Sequence, residues 1–280
     1  MLEGRQFRFF EGVDVVCRGC ELEPQEAENE GDSRRLLPKL PPVNNFGDLL
    51  GPRIVDEILA ERAVDPAGNG IDRRLLAVGS ILHFARPGDV VWGSGVNGKS
   101  LHLRHDVADV DVRAVRGPLT AEFLRKRGVH VPPIYGDPGL LVARFWPRES
   151  FVGSMAPVPL TVIPNLNDVM RYQSHPGFWH PCSPLLETIA RIATSDFVVG
   201  SSLHAMVLAD SFGVPSRLIS SEHEPSFKYE DYYRGSGREG FSAARSIEDA
   251  VRMGGETPLA WSEDELLAAF PWDLWTVNAV

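Results

Sequence analysis

The chain predicts an α/β fold in two Rossmann-like halves, and three observations carry that expectation. Short apolar runs of strand length end at glycine again and again: Val78-Gly79, Trp92-Gly93 and Val199-Gly200. Segments of helical period follow them, so strand and helix signals alternate as they do when crossover helices join parallel strands. Between the two runs of alternation, residues 145–157 (FWPRESFVGSMAP) are irregular and have the composition of a linker. The division is then an N-terminal half over 1–145, a linker over 146–157 and a C-terminal half over 158–280.

Composition narrows the function classes. The 280 residues are 43% hydrophobic and 24% charged, ordinary for a globular protein with a sizeable core. The net charge of −10 argues against a broad nucleic-acid surface, but local arginines and helix termini can still hold a small anion. Cys17, Cys20 and Cys182 suit a reducing compartment; the single Cys17-Arg-Gly-Cys20 pair lacks the second half of a zinc site. No run approaches the ~20 apolar residues of a membrane span, and no N-terminal apolar region precedes the fold. A cytoplasmic protein is expected.

The elements follow in order. Val13 to Val16 has the character of a strand, and 21–36 that of a flexible acidic loop. Asn44-Asn45-Phe46-Gly47-Asp48 is a turn leading into a helix from about Leu49 to Ala63, with Leu50, Ile54 and Ile58 on one face. Leu75 to Val78 reads as a strand, Ile81 to Phe84 as a short helix and Asp89 to Trp92 as the next strand, ending in Gly93-Ser94-Gly95. That glycine turn is a weak phosphate-cradle signal, explained equally well by close packing. Val112 to Val115 is a strand closed by Arg116-Gly117, and Pro118 opens a helix that runs to about Arg127. Arg116 therefore stands at a strand end, where a guanidinium can pair with carboxylate or phosphate; Arg113 on the same strand is the reserve.

In the second half, Leu160 to Ile163 is a strand followed by a loop over Asn165 to Asp168. Leu185, Ile189 and Ile192 then mark a helix from Leu185 to Ala193. The central unit comes next, DFVVGSSLHAMVLADSFGVPSRLI over 196–219. Its apolar strand stops at Gly200, Ser201 and Ser202 offer N-cap oxygens, and the helix from Leu203 carries His204 in its first turn. Gly213 and Pro215 end that helix, and Leu218 begins another strand. Amides without intrahelical partners and the helix dipole make the Gly200–Leu203 turn an anion site, with an imidazole placed to move a proton. Residues 221–235 (SEHEPSFKYEDYYRG) read mainly as a solvated loop, although Glu222, His223, Lys228, Tyr229 and Asp231 are of types that contact sugars. Ser262 to Glu265 is a capping box for a last helix, which Trp272 and Trp275 tie to the body.

The segment GSSLHAMVLADSFGVP resembles the signature of the polysaccharide pyruvyl transferases. NNFGDLL (44–50), WGSGV (92–96), VRGPLTAEFL (115–124) and YGDPGLL (135–141) match further family pieces, in the family's order over about residues 41 to 235. Many members carry Arg where this chain has Ser202, which loads more of the donor's charge onto Arg116. The resemblance implies a GT-B-like pair of domains facing a cleft and pyruvate transfer from phosphoenolpyruvate to two hydroxyls of one sugar. It implies His204 as the acid, and Arg116, Gly200, Ser201, Ser202 and Leu203 at the donor. Asn44, Asn45 and Asp48 then contact the acceptor. It implies no metal or cofactor, no nucleic-acid partner, and a sugar or lipid-linked oligosaccharide acceptor met at the inner face of the membrane. A nucleotide-sugar glycosyltransferase of the same fold and a non-catalytic carbohydrate- or anion-binding protein are the rival readings.

Overall fold

The computed structural model describes residues 15–16, 45–66, 73–153 and 156–276; Asn44, Cys17, Cys20 and the stretch 21–36 lie outside these. Two parallel sheets form the centre. The first sets β1 (Val15–Val16), β2 (Leu75–Leu76), β3 (Val90–Trp92) and β4 (Asp111–Ala114) side by side in sequence order. The second contains β5 (Thr161–Val162), β6 (Val198–Gly200) and β7 (Ser216–Leu218). β2, β3 and β6 are buried at every residue, which is why their sequences run apolar without alternation.

Single-residue parallel bridges widen the second sheet, Val162 to Phe178 on one side and Ile219 to Ala244 on the other. The spatial order is thus Phe178, β5, β6, β7, Ala244. The chain leaves β5 outward and returns at β6 on the opposite side. Such a reversal opens a crevice outside the carboxyl ends of the two strands. Asn165 lies just beyond β5, and Ser201 and His204 just beyond β6.

The helices are α1 (Leu50–Glu61), α2 (Pro118–Arg125), α3 (Val142–Phe145), α4 (Val169–Tyr172), α5 (Leu185–Ala193), α6 (Leu203–Ser211), α7 (Phe227–Gly235), α8 (Ile247–Met253) and α9 (Glu263–Ala268). α1, α2, α5 and α6 lie where periodicity and capping place them. α6 ends as its sequence requires: Gly213 takes φ +63°, its N–H reaches Asp210 O, and Val214 N–H reaches Ala209 O. Ser262 Oγ accepts from Asp264 N at 3.2 Å to cap α9. The largest core cluster joins Leu50, Trp92 and Ala114 of the first half to Ile163, Ile189 and Met206 of the second. Phe145, Trp146 and Phe151, in and beside the irregular stretch, pack against that same cluster.

Two expectations are corrected. Residues 227–235 are not a solvated loop but helix α7, with Tyr229, Asp231, Tyr232 and Tyr233 buried. The three tyrosines recur at helical spacing and bury their rings; Tyr229 OH reaches Ser201 O and Tyr232 OH reaches Asp210, while the Tyr233 hydroxyl is buried without a partner. Nor does a serine side chain cap α6. Ser202 occupies the N-cap position with extended backbone but makes no capping bond, and Ser201 turns inward to Asp168 and Asn165. Arg113, the reserve for Arg116, is engaged by Asp111 and Asp273.

Candidate active site

His204 is the second residue of α6. Its ring lies so close to Gly47 that a β-carbon there would come within 2.0 Å of Nδ1. Only glycine lets the 45–48 turn meet the imidazole. That turn is built locally, with Asn45 Oδ1 accepting from Gly47 N at 3.0 Å and Phe46 N donating to Pro181 O at 2.9 Å. Asn45 and Asp48 flank Gly47 in that turn, both partly buried. His204 as a whole keeps some exposure, but Nε2 is shut off from solvent and has no partner. Burial, with the Lys228 and Arg116 cations nearby, pushes the imidazole down to about 3, so it is neutral in the ligand-free site.

Arg116 follows β4 and is completely buried. Its Nε donates to Asp231 Oδ2 at 3.0 Å, Nη1 to Ser80 Oγ at 2.5 Å and Nη2 to Val96 O at 2.9 Å. A β-carbon at Gly95 would lie 2.3 Å from Arg116 Cζ. The amides of Gly93 and Gly95 are spent on Ala114 O and Gly79 O, so this glycine turn makes room for the guanidinium rather than cradling phosphate. Asp231, equally buried, also accepts from Thr120 N at 2.9 Å and Thr120 Oγ1 at 2.7 Å, which holds the first turn of α2.

α7 therefore ties both halves to one centre. Asp231 fixes Arg116, Tyr229 OH donates to Ser201 O at 2.8 Å, and Lys228 adds charge near His204 and Arg116. Beyond β5, Asn165 Nδ2 donates to Asp168 Oδ2 at 2.6 Å, and Ser201 Oγ reaches the same oxygen at 2.6 Å. Of the proposed donor residues, Ser201 is thus committed to the inner wall. Gly200, Ser202 and Leu203 form the turn in front of His204, where the Ser202 side chain makes no capping bond. Sequence reasoning missed the roles of Lys228 and Asp231; a buried Arg116 needs a counter-charge, and the tyrosine spacing was the signal that places it on a helix.

Asp137 is a second buried carboxyl of this centre. Oδ1 accepts from Gly139 N at 2.9 Å, while Oδ2 is without a partner. Burial pushes it up to about 6 from an ordinary 3.8, against the pull of the Gly139 amide and Arg116. Between these values the native state binds a proton that the unfolded chain releases, so this group's contribution to stability falls as pH rises. The gap corresponds to about 3 kcal/mol. Asp137→Asn keeps an oxygen for Gly139 and removes the titration. Its melting temperature relative to wild type is expected to climb from pH 4 to pH 7.5; a constant difference over that range contradicts the assignment.

The sequence model of the polysaccharide pyruvyl transferase family matches residues 66–223, a span that includes Arg116, Asp137, Asn165 and His204. The succinoglycan biosynthesis protein ExoV of Rhizobium meliloti (strain 1021) is 31% identical over 204 residues, covering 67% of this chain and 60% of that protein. The chain thus spans about three fifths of the length of the curated relative it matches. A solved structure of a functionally uncharacterized protein from Klebsiella pneumoniae subsp. pneumoniae NTUH-K2044 aligns with a TM-score of 0.48 at 10% identity, over 72% of this chain and 89% of that one. The family match occupies more than half of the chain and runs through both the Arg116 strand end and the His204 helix: the protein belongs to the polysaccharide pyruvyl transferase family.

Proposed function

We propose that the protein transfers pyruvate from phosphoenolpyruvate to two hydroxyls of one sugar residue of a polysaccharide precursor, leaving a cyclic ketal and inorganic phosphate. The observation that carries this reading is the placement of His204. Its Nε2 is buried and unpartnered at the first turn of α6, beside two cations, in a chain of this family. The succinoglycan relative supports an exopolysaccharide acceptor, lipid-linked or free.

The chemistry suits that placement. The methylene carbon of the enol phosphate must gain a proton, which makes the carbon bearing the carboxylate electrophilic. One sugar hydroxyl adds there and gives up its proton; the bond from that carbon to the phosphate oxygen then breaks, and the second hydroxyl closes the ring, its proton passing to the departing phosphate. His204 is neutral in the empty site, but a donor carrying carboxylate and phosphate reverses the local field and raises its proton affinity. The donor thereby charges its own general acid. Lys228 and the first-turn amides of α6 from Leu203 onward receive the donor's anionic groups; the Ser202 amide is spent on Ile163 O. Arg116, with Asp231 behind it, contributes positive charge from within. Asn45 and Asp48, on either side of the glycine that meets His204, contact the acceptor hydroxyls. The two sheet-centred halves act as GT-B-like domains with this site between them, and a lipid-linked acceptor is met at the inner face of the membrane. Among the described residues no helix is long and apolar enough to cross a membrane.

Thermal shifts test the donor. Phosphoenolpyruvate at a hundred times its Kd is expected to stabilise the protein by about 2.7 kcal/mol. Stabilisation by a nucleotide sugar with none by phosphoenolpyruvate contradicts the reading.

A further inference from the structure

The loop between β7 and α7 brings a carboxylate back into the cation cluster. Glu224 Oε2 accepts from Lys228 Nζ at 2.7 Å; Oε1 pairs with Lys99 and accepts from Asn167 Nδ2 at 3.2 Å. Three donors thus converge on one carboxylate from three parts of the chain. Lys99 belongs to the first half, Asn167 to the loop after β5, and Lys228 to α7. The Glu224 side chain is 7% exposed. Lys228 is the same ammonium whose field, with that of Arg116, acts on His204. Yet the neighbours of Glu224 along the chain, Glu222, His223, Pro225 and Ser226, are exposed. Pro225 and Phe227 rest on Gly98, so the segment crosses from the second half to the first.

We infer that Glu224 is an internal anion that fills this three-donor site in the absence of ligand and is displaced by the carboxylate or phosphate of the donor, releasing the 221–226 strap. The inference rests on the donor reading above. A carboxylate held by two ammoniums and an amide is a fair stand-in for a ligand oxyanion. Because the backbone bearing it is solvated, the side chain can swing into water without breaking a core. Lys228 then passes from Glu224 to the donor. The strap thus keeps the cations neutralised and the site closed until an anion competes.

The test is calorimetric binding of phosphoenolpyruvate and of inorganic phosphate to wild type and Glu224→Gln, with hydrogen exchange of the strap. A field effect alone would tighten anion binding in Glu224→Gln, so exchange is the deciding readout. Expected are about tenfold tighter binding to the variant, faster exchange of the Glu222, His223, Glu224 and Ser226 amides in wild type when either anion binds, and fast exchange in the variant without ligand. Exchange that is unchanged or slowed by a bound anion, or a variant that binds no tighter, overturns the displacement. Phosphate that binds and releases the strap while phosphoenolpyruvate does not bind leaves the strap standing and overturns the donor. Binding of neither anion overturns both.

Discussion

Replacing His204 by alanine is expected to lower turnover of phosphoenolpyruvate about 100- to 10,000-fold, the range for loss of a positioned general acid. The fold should survive, because the ring's Nε2 has no partner to orphan and the neighbouring turn keeps its own Asn45 and Pro181 bonds. A second signature separates a proton carrier from a packing residue. The free imidazole is pushed down to about 3, so at pH 7 it is uncharged before the donor arrives. Binding the anionic donor should draw up to one proton from solution, read as a dependence of binding enthalpy on the ionisation enthalpy of the buffer. That dependence should vanish in His204→Ala. Equal proton uptake in both proteins, or a variant with wild-type turnover, removes His204 from the chemistry.

Asp231→Ala is expected to produce the largest loss of stability, about 3–5 kcal/mol, the cost of leaving one member of a buried ion pair uncompensated. Arg116 is completely buried, and Asp231 is the carboxylate on its Nε and also the acceptor for two groups of Thr120. Removing it strands a guanidinium, uncaps α2 and loosens α7 in one change. Arg116→Met together with Asp231→Ala removes both charges and should recover most of the stability, since apolar replacement of a buried pair is often neutral. Activity should not return, because the positive charge behind the donor site is gone. Chemical denaturation of the two single variants and the double variant closes the cycle; additive losses contradict a coupled buried pair.

What the sequence made legible follows the reach of each signal. The strand–turn–helix unit around His204 was readable because each of its cues is local: an apolar run, a glycine stop, two serines before a helical period, then glycine and proline. Arg116 at a strand end was readable for the same reason. Its partner was not, since 115 positions separate it from Asp231 and only the packing of α7 unites them. α7 itself was hidden by the charged residues Lys228, Glu230, Asp231 and Arg234 interleaved with its tyrosines, whose rings bury at helical spacing. Ser201 was read as a cap because a serine before a helix usually is one; the nearby Asp168 and Asn165 take its hydroxyl instead. The convergence on Glu224 joins residues 99, 167 and 228, a contact that no spacing rule anticipates.

The most direct test of the central claim is inorganic phosphate release from phosphoenolpyruvate by the wild-type protein, measured across a panel of galactosides, glucosides and mannosides, free and lipid-linked. Release that requires one class of acceptor, with one pyruvate ketal formed per phosphate, is the predicted result. No release with any acceptor, or release without a pyruvylated sugar, would contradict it.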